Sequence, residues 1–163
     1  MTDVATAPAI DAELGSVTDA VVFSMGAGRF AAALAAVAEV GRVPAVTRVP
    51  GLPGWLAGVA NWRGRILPIL DLRGVLGAPD GPVGPRSRLL VLGEGALTVG
   101  MVVDAVEGTT ELSADVAPVP AGLPGAGGLL CGQIARDDGP VAVLDVDAVL
   151  RLRESLPRGR RSA

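Results

Sequence analysis

The sequence predicts an all-β protein, either a barrel or a sandwich. Short runs of aliphatic residues recur along the chain, and turn signals separate them. The 163 residues include 23 Gly and 13 Pro, the residue types that end strands and form turns. The chain lacks the repeated long amphipathic helices that would have to cover a parallel sheet. Because 50% of the residues are hydrophobic and mean hydropathy is +0.49, we expect enough apolar surface for one compact unit.

The predicted strands are the runs richest in Val, Leu and Ile. They cover residues 21–25, 66–70, 89–92, 97–103, 130–134 and 141–144. The turn signals Gly93-Glu94-Gly95 and Asp137-Asp138-Gly139-Pro140 separate neighbouring runs. The Gly- and Pro-rich segments 77–85 and 118–128 are predicted to be loops.

Both ends of the chain are predicted to be tails. The first 20 residues are acidic, with Asp3, Asp11, Glu13 and Asp19, and no basic segment leads into an apolar one. They therefore predict a disordered tail rather than a signal peptide. The other end is basic, with Arg151, Arg153, Arg158, Arg160 and Arg161, and residues 153–163 are predicted to be a solvated tail. Residues 21–152 are then the expected domain.

The chain lacks the residues on which most enzyme mechanisms depend. It has no His and no Tyr, and its 14 basic residues are all Arg, which excludes a Ser-His pair, an imidazole ligand and a catalytic or P-loop lysine. The lone Cys131 excludes an internal disulfide and argues against a structural metal site. A net charge of −3 argues against a nucleic-acid partner, and no apolar run reaches the roughly 18 residues of a membrane helix. We expect no cofactor and no direct membrane insertion.

Three predicted strands end in an aspartate, at Asp71, Asp104 and Asp145. Carboxylates that converge at strand ends can bind Mg²⁺, which is one interpretation. The other is that Asp71 and Asp145 are the N-caps of short helices, since aliphatic helix-like segments follow both. Capping is the stronger interpretation, because an Mg²⁺ site also needs a cation or base to handle a substrate and none is evident.

The segment from Val22 to Ala31 imitates the start of a dinucleotide-binding unit. A strand is followed by Gly26-Ala27-Gly28 and then by an Ala-rich stretch, as where a pyrophosphate sits at a helix N-terminus. The acidic residue expected about 20 residues later is missing, since Glu39 comes too early. A two-stranded hairpin with its turn at Gly26–Gly28 fits the same residues.

The most informative segment is the polar turn Asn61-Trp62-Arg63-Gly64, which precedes an aliphatic strand. Trp and Arg contribute strongly at protein-protein contacts, so the turn predicts a protein-binding site. We expect Trp62 to be partly exposed, Trp55 to lie in the core, and Pro68 to mark a sheet edge. Arg63 either contacts a partner or pairs with a nearby acid to hold its own turn.

Together with residues 37–40 and 99–106, the segment 53–73 resembles the CheW family of chemotaxis coupling proteins. Family members carry a similar Gly-x-x-Asn-Leu-Arg-Gly segment that runs into an aliphatic strand ending in Asp-Leu; here it reads Gly58 to Gly64, then Asp71-Leu72. The resemblance covers about residues 21–152 and loosens after Asp104, where an aliphatic rhythm continues it. Trp62 departs from the usual Leu, and residues 30–34 replace a bulkier strand.

The resemblance implies two small five-stranded SH3-like β-barrels packed together, with a few short helices. It also implies a non-enzymatic adaptor that couples the cytoplasmic tips of chemoreceptors to the regulatory domain of a CheA-type histidine kinase, in cytoplasmic arrays at the inner membrane. A chain of this length is similar to CheW rather than to CheA or CheV, which append the domain to other modules. The resemblance further admits ring assembly with homologous domains.

The resemblance carries a receptor- or kinase-binding role to Val37, Glu39, Gly58, Asn61, Trp62, Arg63 and Gly64. From the residues alone Glu39 reads as a solvated carboxylate, and it is the resemblance that makes a binding role an equal interpretation. The alternative function is a small Mg²⁺- or nucleotide-dependent enzyme that uses Asp71, Asp104, Asp145 or the Gly26–Gly28 loop.

Overall fold

The predicted all-β class is confirmed. The computed structural model describes residues 18–77, 83–112 and 128–154. Its strands are β1 (Thr18–Met25), β2 (Gly28–Ala33), β3 (Val37–Gly41), β4 (Leu56–Trp62), β5 (Arg65–Leu70), β6 (Arg88–Leu92), β7 (Val99–Val103), β8 (Ala105–Leu112), β9 (Leu130–Ile134) and β10 (Val141–Leu144). One helix, α1 (Val146–Glu154), follows β10, and short 3₁₀ turns cover Leu34–Ala36 and Gly95–Leu97.

The strands form two five-stranded sheets. Sheet 1 has the order β8-β1-β2-β10-β9, and sheet 2 has the order β3-β6-β7-β5-β4. Antiparallel hairpins build both, and each contains one parallel pair, β2 with β10 and β5 with β7. Sheet 2 is built from the consecutive strands β3 to β7, whereas sheet 1 combines β1 and β2 with the later strands β8, β9 and β10, as when β8 pairs with β1.

The described backbone pairing does not join β8 and β9, the edge strands of sheet 1. Side-chain contacts bring these two edges of the sheet together. Arg29 on β2 forms ion pairs with Glu107 on β8 and with Asp138 in the β9–β10 turn, both at 2.9 Å. Arg136, just after β9, donates a hydrogen bond to Thr110 on β8. Hydrogen bonds from Arg29 hold the pKa of Asp138 below its ordinary value. Sheet 1 thus approaches a barrel through side-chain contacts.

Strands β1 and β6 are buried on both faces, and their alternate residues point to different cores. Val21 and Phe23 of β1 belong to a core shared with sheet 2, whereas Val22 between them belongs to a core inside sheet 1. In β6, Leu90 contributes to the shared core and Leu89 to a core inside sheet 2. The shared core makes the two sheets one packing unit.

The ends of the described chain differ from the predicted tails. Ala20 is fully buried and pairs with Ala33, so β1 begins three residues before the predicted boundary. Helix α1 runs through Glu154, so Arg151 and Arg153 belong to a helix and not to a tail. Most of both predicted tails, and nearly all of the predicted loop 118–128, lie outside the described residues.

Pro68 does not mark a sheet edge, so that prediction is wrong. It lies in β5, which has β4 on one side and β7 on the other. The parallel pairing with β7 starts at Ile69, one residue beyond Pro68, so the missing N–H removes no bond from that ladder. Among the described residues, no helix has the length and apolar character needed to cross a membrane.

Candidate functional site

The polar turn predicted from Asn61 to Gly64 is the tip of the β4–β5 hairpin. Trp62 pairs with Arg65, which leaves Arg63 and Gly64 as a two-residue loop with φ values of 51° and 80°. Both values are positive, as in the type I′ turns that match the twist of a hairpin. The Oδ1 of Asn61 accepts a hydrogen bond from the Gly64 N–H at 3.0 Å. The sequence therefore builds a tight turn that projects Arg63.

Arg63 holds a backbone conformation that is unfavourable for its residue type. Within the described part of the chain it is the one non-glycine residue with positive φ. Gly would occupy this turn position at lower cost because it lacks the Cβ that clashes with the following carbonyl, and Asn because its short side chain can form local hydrogen bonds. Residues held in such conformations concentrate at functional sites.

Glu39 on β3 contacts both side chains of the hairpin tip. Its Oε2 accepts a hydrogen bond from Trp62 Nε1 at 3.0 Å, and its Oε1 accepts bonds from Arg63 Nε at 2.8 Å and Nη2 at 2.6 Å. The Arg63 guanidinium also lies 5.5 Å from the centre of the Trp62 ring, within cation–π range. These three residues form the Glu39–Trp62–Arg63 cluster. Arg63 therefore pairs with a nearby acid, which is one of the two alternatives considered for it.

The cluster keeps Glu39 ionised. The hydrogen bonds from Arg63, and then that from Trp62, hold the pKa of Glu39 below its ordinary value. The same pair raises the pKa of Arg63. The Arg63 side chain nevertheless remains 70% exposed, so its outer face is open to a partner. An exposed pair of this kind contributes little to stability by itself.

Trp62 is partly exposed, as predicted, and it packs across the end of β3. A Cβ built on Gly41 would lie 2.6 Å from the Trp62 ring, so the glycine makes room for the indole. This contact explains how the chain accommodates Trp where the CheW pattern that it resembles usually has Leu. Trp55 is half-buried against the shared core rather than fully inside it.

A groove of about 280 Å³ lies beside the cluster. Its apolar lining includes Leu67, Val91 and Ile66, and Ile66 is 70% exposed. The opposite wall is the β6–β7 loop, residues 93–98, which the Arg65 Nη2 holds through a 2.6 Å hydrogen bond to the Gly95 carbonyl. Sequence reasoning missed this loop, which it treated as a simple turn.

The structure separates the predicted site residues into three groups. Glu39, Trp62 and Arg63 come together at the groove. Asn61 and Gly64 shape the turn that presents them.

Val37 and Gly58 lie apart from the groove lining. Val37 packs against the shared core. Gly58 is buried with φ 150°, and a Cβ there would lie 2.2 Å from the Thr47 carbonyl oxygen. Its role in the described structure is the close approach of two backbone segments.

The strand-end aspartates do not form a metal site. Asp71 and Asp104 both contact the guanidinium of Arg73, at 2.7 Å and 3.4 Å, and Arg73 is only 6% exposed. Asp71 precedes a turn rather than the predicted α-helix, and its Oδ1 accepts the Arg73 backbone N–H. Within residues 18–77, 83–112 and 128–154, no three acidic or Cys side chains are arranged as ligands. The arginine neutralises Asp71 and Asp104, two of the three carboxylates in the Mg²⁺ interpretation.

Asp145 is a helix cap, as predicted. Its Oδ1 accepts a hydrogen bond from the Ala148 N–H at 3.1 Å, at the start of α1. Nearby, burial raises the pKa of the Cys131 thiol to about 11, and the Asp145 charge adds to the shift. The thiol therefore stays protonated and packs as an apolar group.

The Gly26–Gly28 segment is the turn of the β1–β2 hairpin. Met25 pairs with Gly28, and β2 follows directly, so the dinucleotide interpretation, which required a helix there, is wrong. The Gly26 N–H donates a 2.6 Å hydrogen bond to Asp104 Oδ2. This donor, which a phosphate would need, is already used within the protein.

These observations define the class of protein: a two-sheet β protein with an open groove of paired charges and apolar side chains, suited to binding another protein. The chain belongs to the CheW family, because the model of the CheW-like domain matches residues 19–154. It is thus a member of a family of chemotaxis scaffold and coupling proteins.

Three related proteins show how far the similarity extends. Protein PilI of Pseudomonas aeruginosa is 41% identical over 93 residues, 57% of this chain and 52% of PilI. Protein FrzA of Myxococcus xanthus is 37% identical over 99 residues, 60% of this chain and 62% of FrzA. The matched regions thus span about half of PilI and about three-fifths of FrzA. Chemotaxis protein CheW of Bacillus subtilis is 26% identical over 141 residues, 85% of this chain and 90% of that protein.

A solved structure supports the fold. The crystal structure of the scaffolding protein TtCheW from Thermoanaerobacter tengcongensis superposes with a TM-score of 0.69. The superposition covers 79% of this chain and 89% of TtCheW at 24% sequence identity. The two-sheet arrangement is therefore shared at low identity.

Proposed function

We propose that this protein is a non-enzymatic adaptor that couples the cytoplasmic tip of a chemoreceptor to the regulatory domain of a CheA-type histidine kinase. The observation that carries the proposal is the Glu39–Trp62–Arg63 cluster at the mouth of an open groove. An adaptor of this kind transmits a receptor's conformational change as a coupling free energy between two binding sites. Its place is the cytoplasm beside the receptor array, where both partners are accessible.

The groove is the proposed receptor site. It combines exposed apolar surface at Ile66 with charges of both signs at Arg63, Arg65 and Glu94. Such a mixture suits a polar, partly apolar protein segment better than a small metabolite. Arg63 is the proposed contact residue, because its side chain is 70% exposed and because it has a positive φ, a conformation typical of functional sites.

Glu39 is proposed to orient Arg63 rather than to contact the receptor first. Its carboxylate holds one edge of the guanidinium through Nε and Nη2, which leaves Nη1 for carbonyls or carboxylates of the partner. Fixing the side chain before binding lowers the entropy lost on association. The kinase regulatory domain is proposed to bind a different surface, so that one adaptor molecule can hold both partners at the same time. Ring assembly with homologous domains would follow from repeating those contacts.

The deciding experiment measures receptor-dependent kinase activation and binding to each partner separately. Arg63→Ala should lose receptor binding by about tenfold while it keeps its fold and most of its kinase affinity, and Arg63→Glu should be worse because it adds repulsion. Arg86→Ala is the matched control. Arg86 is exposed and precedes the start of β6, whereas the groove loop follows the end of that strand.

A charge swap separates a partner contact from a merely internal pair. Glu39→Arg combined with Arg63→Glu restores an ion pair across the same positions but presents a carboxylate outward. If the swap restores coupling, the residues act only on each other and the proposed contact is wrong. Titration with Mg²⁺ and nucleotides provides a second check, because a ligand-induced rise in melting temperature would support the alternative enzyme.

A further inference from the structure

The β6–β7 loop depends on contacts from other elements for its shape. Gly93 and Gly95 in it have φ values of 99° and 55°, and glycine-rich backbone is costly to order. Two described backbone hydrogen bonds restrain it: the Gly93 N–H donates to the Ala36 carbonyl, and the Leu97 N–H donates to Glu94. The Thr98 hydroxyl adds a contact within the loop, because it donates a 3.2 Å hydrogen bond to the Gly95 carbonyl. Further restraints come from side chains outside the loop.

Two residues of helix α1 supply such restraints. Arg153 Nη1 donates hydrogen bonds to two loop carbonyls, Ala96 O and Thr98 O, the latter at 3.1 Å. One turn earlier on the helix, Leu150 packs against Gly93, where an added Cβ would lie 3.1 Å from its Cδ2. The loop is therefore attached to α1 at both of its ends.

The attachment crosses from one half of the protein to the other. Helix α1 follows β10 of sheet 1, and its Val146 and Val149 lie in the shared core. The β6–β7 loop belongs to sheet 2 and forms a wall of the groove, where Arg65 holds it from the opposite side. Arg153 and Arg65 thus donate hydrogen bonds to neighbouring carbonyls of the same loop, those of Ala96 and Gly95.

We propose that Arg153 is a positioning residue that holds the β6–β7 loop in its groove-forming position, so that the C-terminal helix controls the shape of the partner site. The loop-anchoring part stands on the contacts alone, whereas the effect on a partner rests on the proposed function. Binding energy that a partner gains from the groove is reduced by any cost of ordering the loop. A loop anchored in advance by Arg153 avoids that cost.

Hydrogen exchange tests the anchoring without any partner. In Arg153→Ala, the amides of Gly93 and Leu97 should exchange about fivefold faster, because the loop opens more often. Amides of β1 and β2 should be unchanged. Arg153→Lys should recover part of the protection, since an ammonium can still donate to one carbonyl. Arg151→Ala is the control, because Arg151 is exposed on the same helix. Unchanged loop exchange, or faster exchange spread equally over the sheets, would overturn the anchoring.

Binding of a chemoreceptor tip fragment then tests the effect on the groove. Arg153→Ala should weaken binding about fivefold, Arg153→Lys less, and Arg151→Ala not at all. If Arg63→Ala loses binding and Arg153→Ala does not, the positioning role is wrong and the adaptor function stands. If neither variant loses binding while the loop still exchanges faster in Arg153→Ala, the adaptor site is wrong and the anchoring stands.

Discussion

Arg73 and Asp71 form a two-pronged ion pair at the end of β5. Arg73 Nε donates to Asp71 Oδ1 at 2.9 Å, and its Nη2 donates to Oδ2 at 2.7 Å. The Arg73 side chain is 8% exposed. Its Nη1 lies 3.4 Å from Asp104, which also accepts the Gly26 N–H from the β1–β2 turn. Because Gly26 lies in a turn between two strands of sheet 1 and Asp71 follows a strand of sheet 2, these contacts link the two sheets.

We predict that Asp71→Asn destabilises the protein far more than Asp145→Asn. The first change removes the negative charge that pairs with the buried Arg73 at 2.7 Å, which should cost about 3 kcal/mol. The second keeps a side-chain oxygen that can cap α1 and should cost a few tenths of a kcal/mol. Urea unfolding of both variants measures the difference, with and without Mg²⁺. If both variants lose the same free energy of unfolding, the Arg73–Asp71 ion pair contributes no more than a helix cap. A gain in stability with Mg²⁺ would favour a metal site.

We predict that protonation of Glu39 is visible in the fluorescence of Trp62. A Trp55→Phe background leaves Trp62 as the one indole. Since the pKa of Glu39 is lowered in the folded state, its bonds to Arg63 and Trp62 persist down to its ordinary value of about 4.3 and are lost as pH falls through the lower folded value. Emission should therefore change only below about pH 4.3. In Arg63→Ala the transition should move to higher pH, and in Glu39→Gln it should be absent. A parent transition above that value contradicts the assigned hydrogen bonds.

We predict that Gly58 acts through stability rather than through partner contact. Gly58→Ala forces a Cβ against the Thr47 carbonyl oxygen and should cost more than about 2 kcal/mol. Gly64→Ala is the comparison, because its Cβ meets open space and the cost is that of the left-handed backbone, about 1 kcal/mol. Thermal and urea unfolding measure both. If Gly58→Ala folds with normal stability but fails to bind the partner, Gly58 belongs to the binding site after all.

We predict that the boundary of the folded unit lies at Thr18. Deletion of residues 1–17 should leave the melting temperature unchanged, since their acidic sequence offers little to bury. Deletion of residues 1–20 should lower it by about 5 °C or more, because it removes buried Ala20 and its pairing with Ala33 and Thr110. Similar losses from both deletions would show that the acidic segment itself docks.

Local signals predicted part of this structure correctly. The strands at 66–70 and 141–144 and the hairpin turn at Gly26–Gly28 follow from aliphatic runs and glycine placement. The cap at Asp145 also follows, because capping involves residues three apart in sequence. Strands β3, β4 and β8 were not predicted. Their Ala, Gly and Glu residues are depleted in strands, and β3 and β8 are stabilised by pairing with the distant strands β6 and β1.

The sequence alone determined the fold class and excluded most catalytic chemistry, because both depend on which residues are present and on their local pattern. It also located the hairpin tip that presents Trp62 and Arg63. The tertiary structure decided what that tip contacts. Glu39, on a strand 23 residues from Trp62 in sequence, orients the tip. Arg153, 55 residues from Thr98, anchors the groove wall. Such partners are brought together by sheet pairing and a shared core, and no sequence spacing encodes a contact between side chains on separate strands and helices.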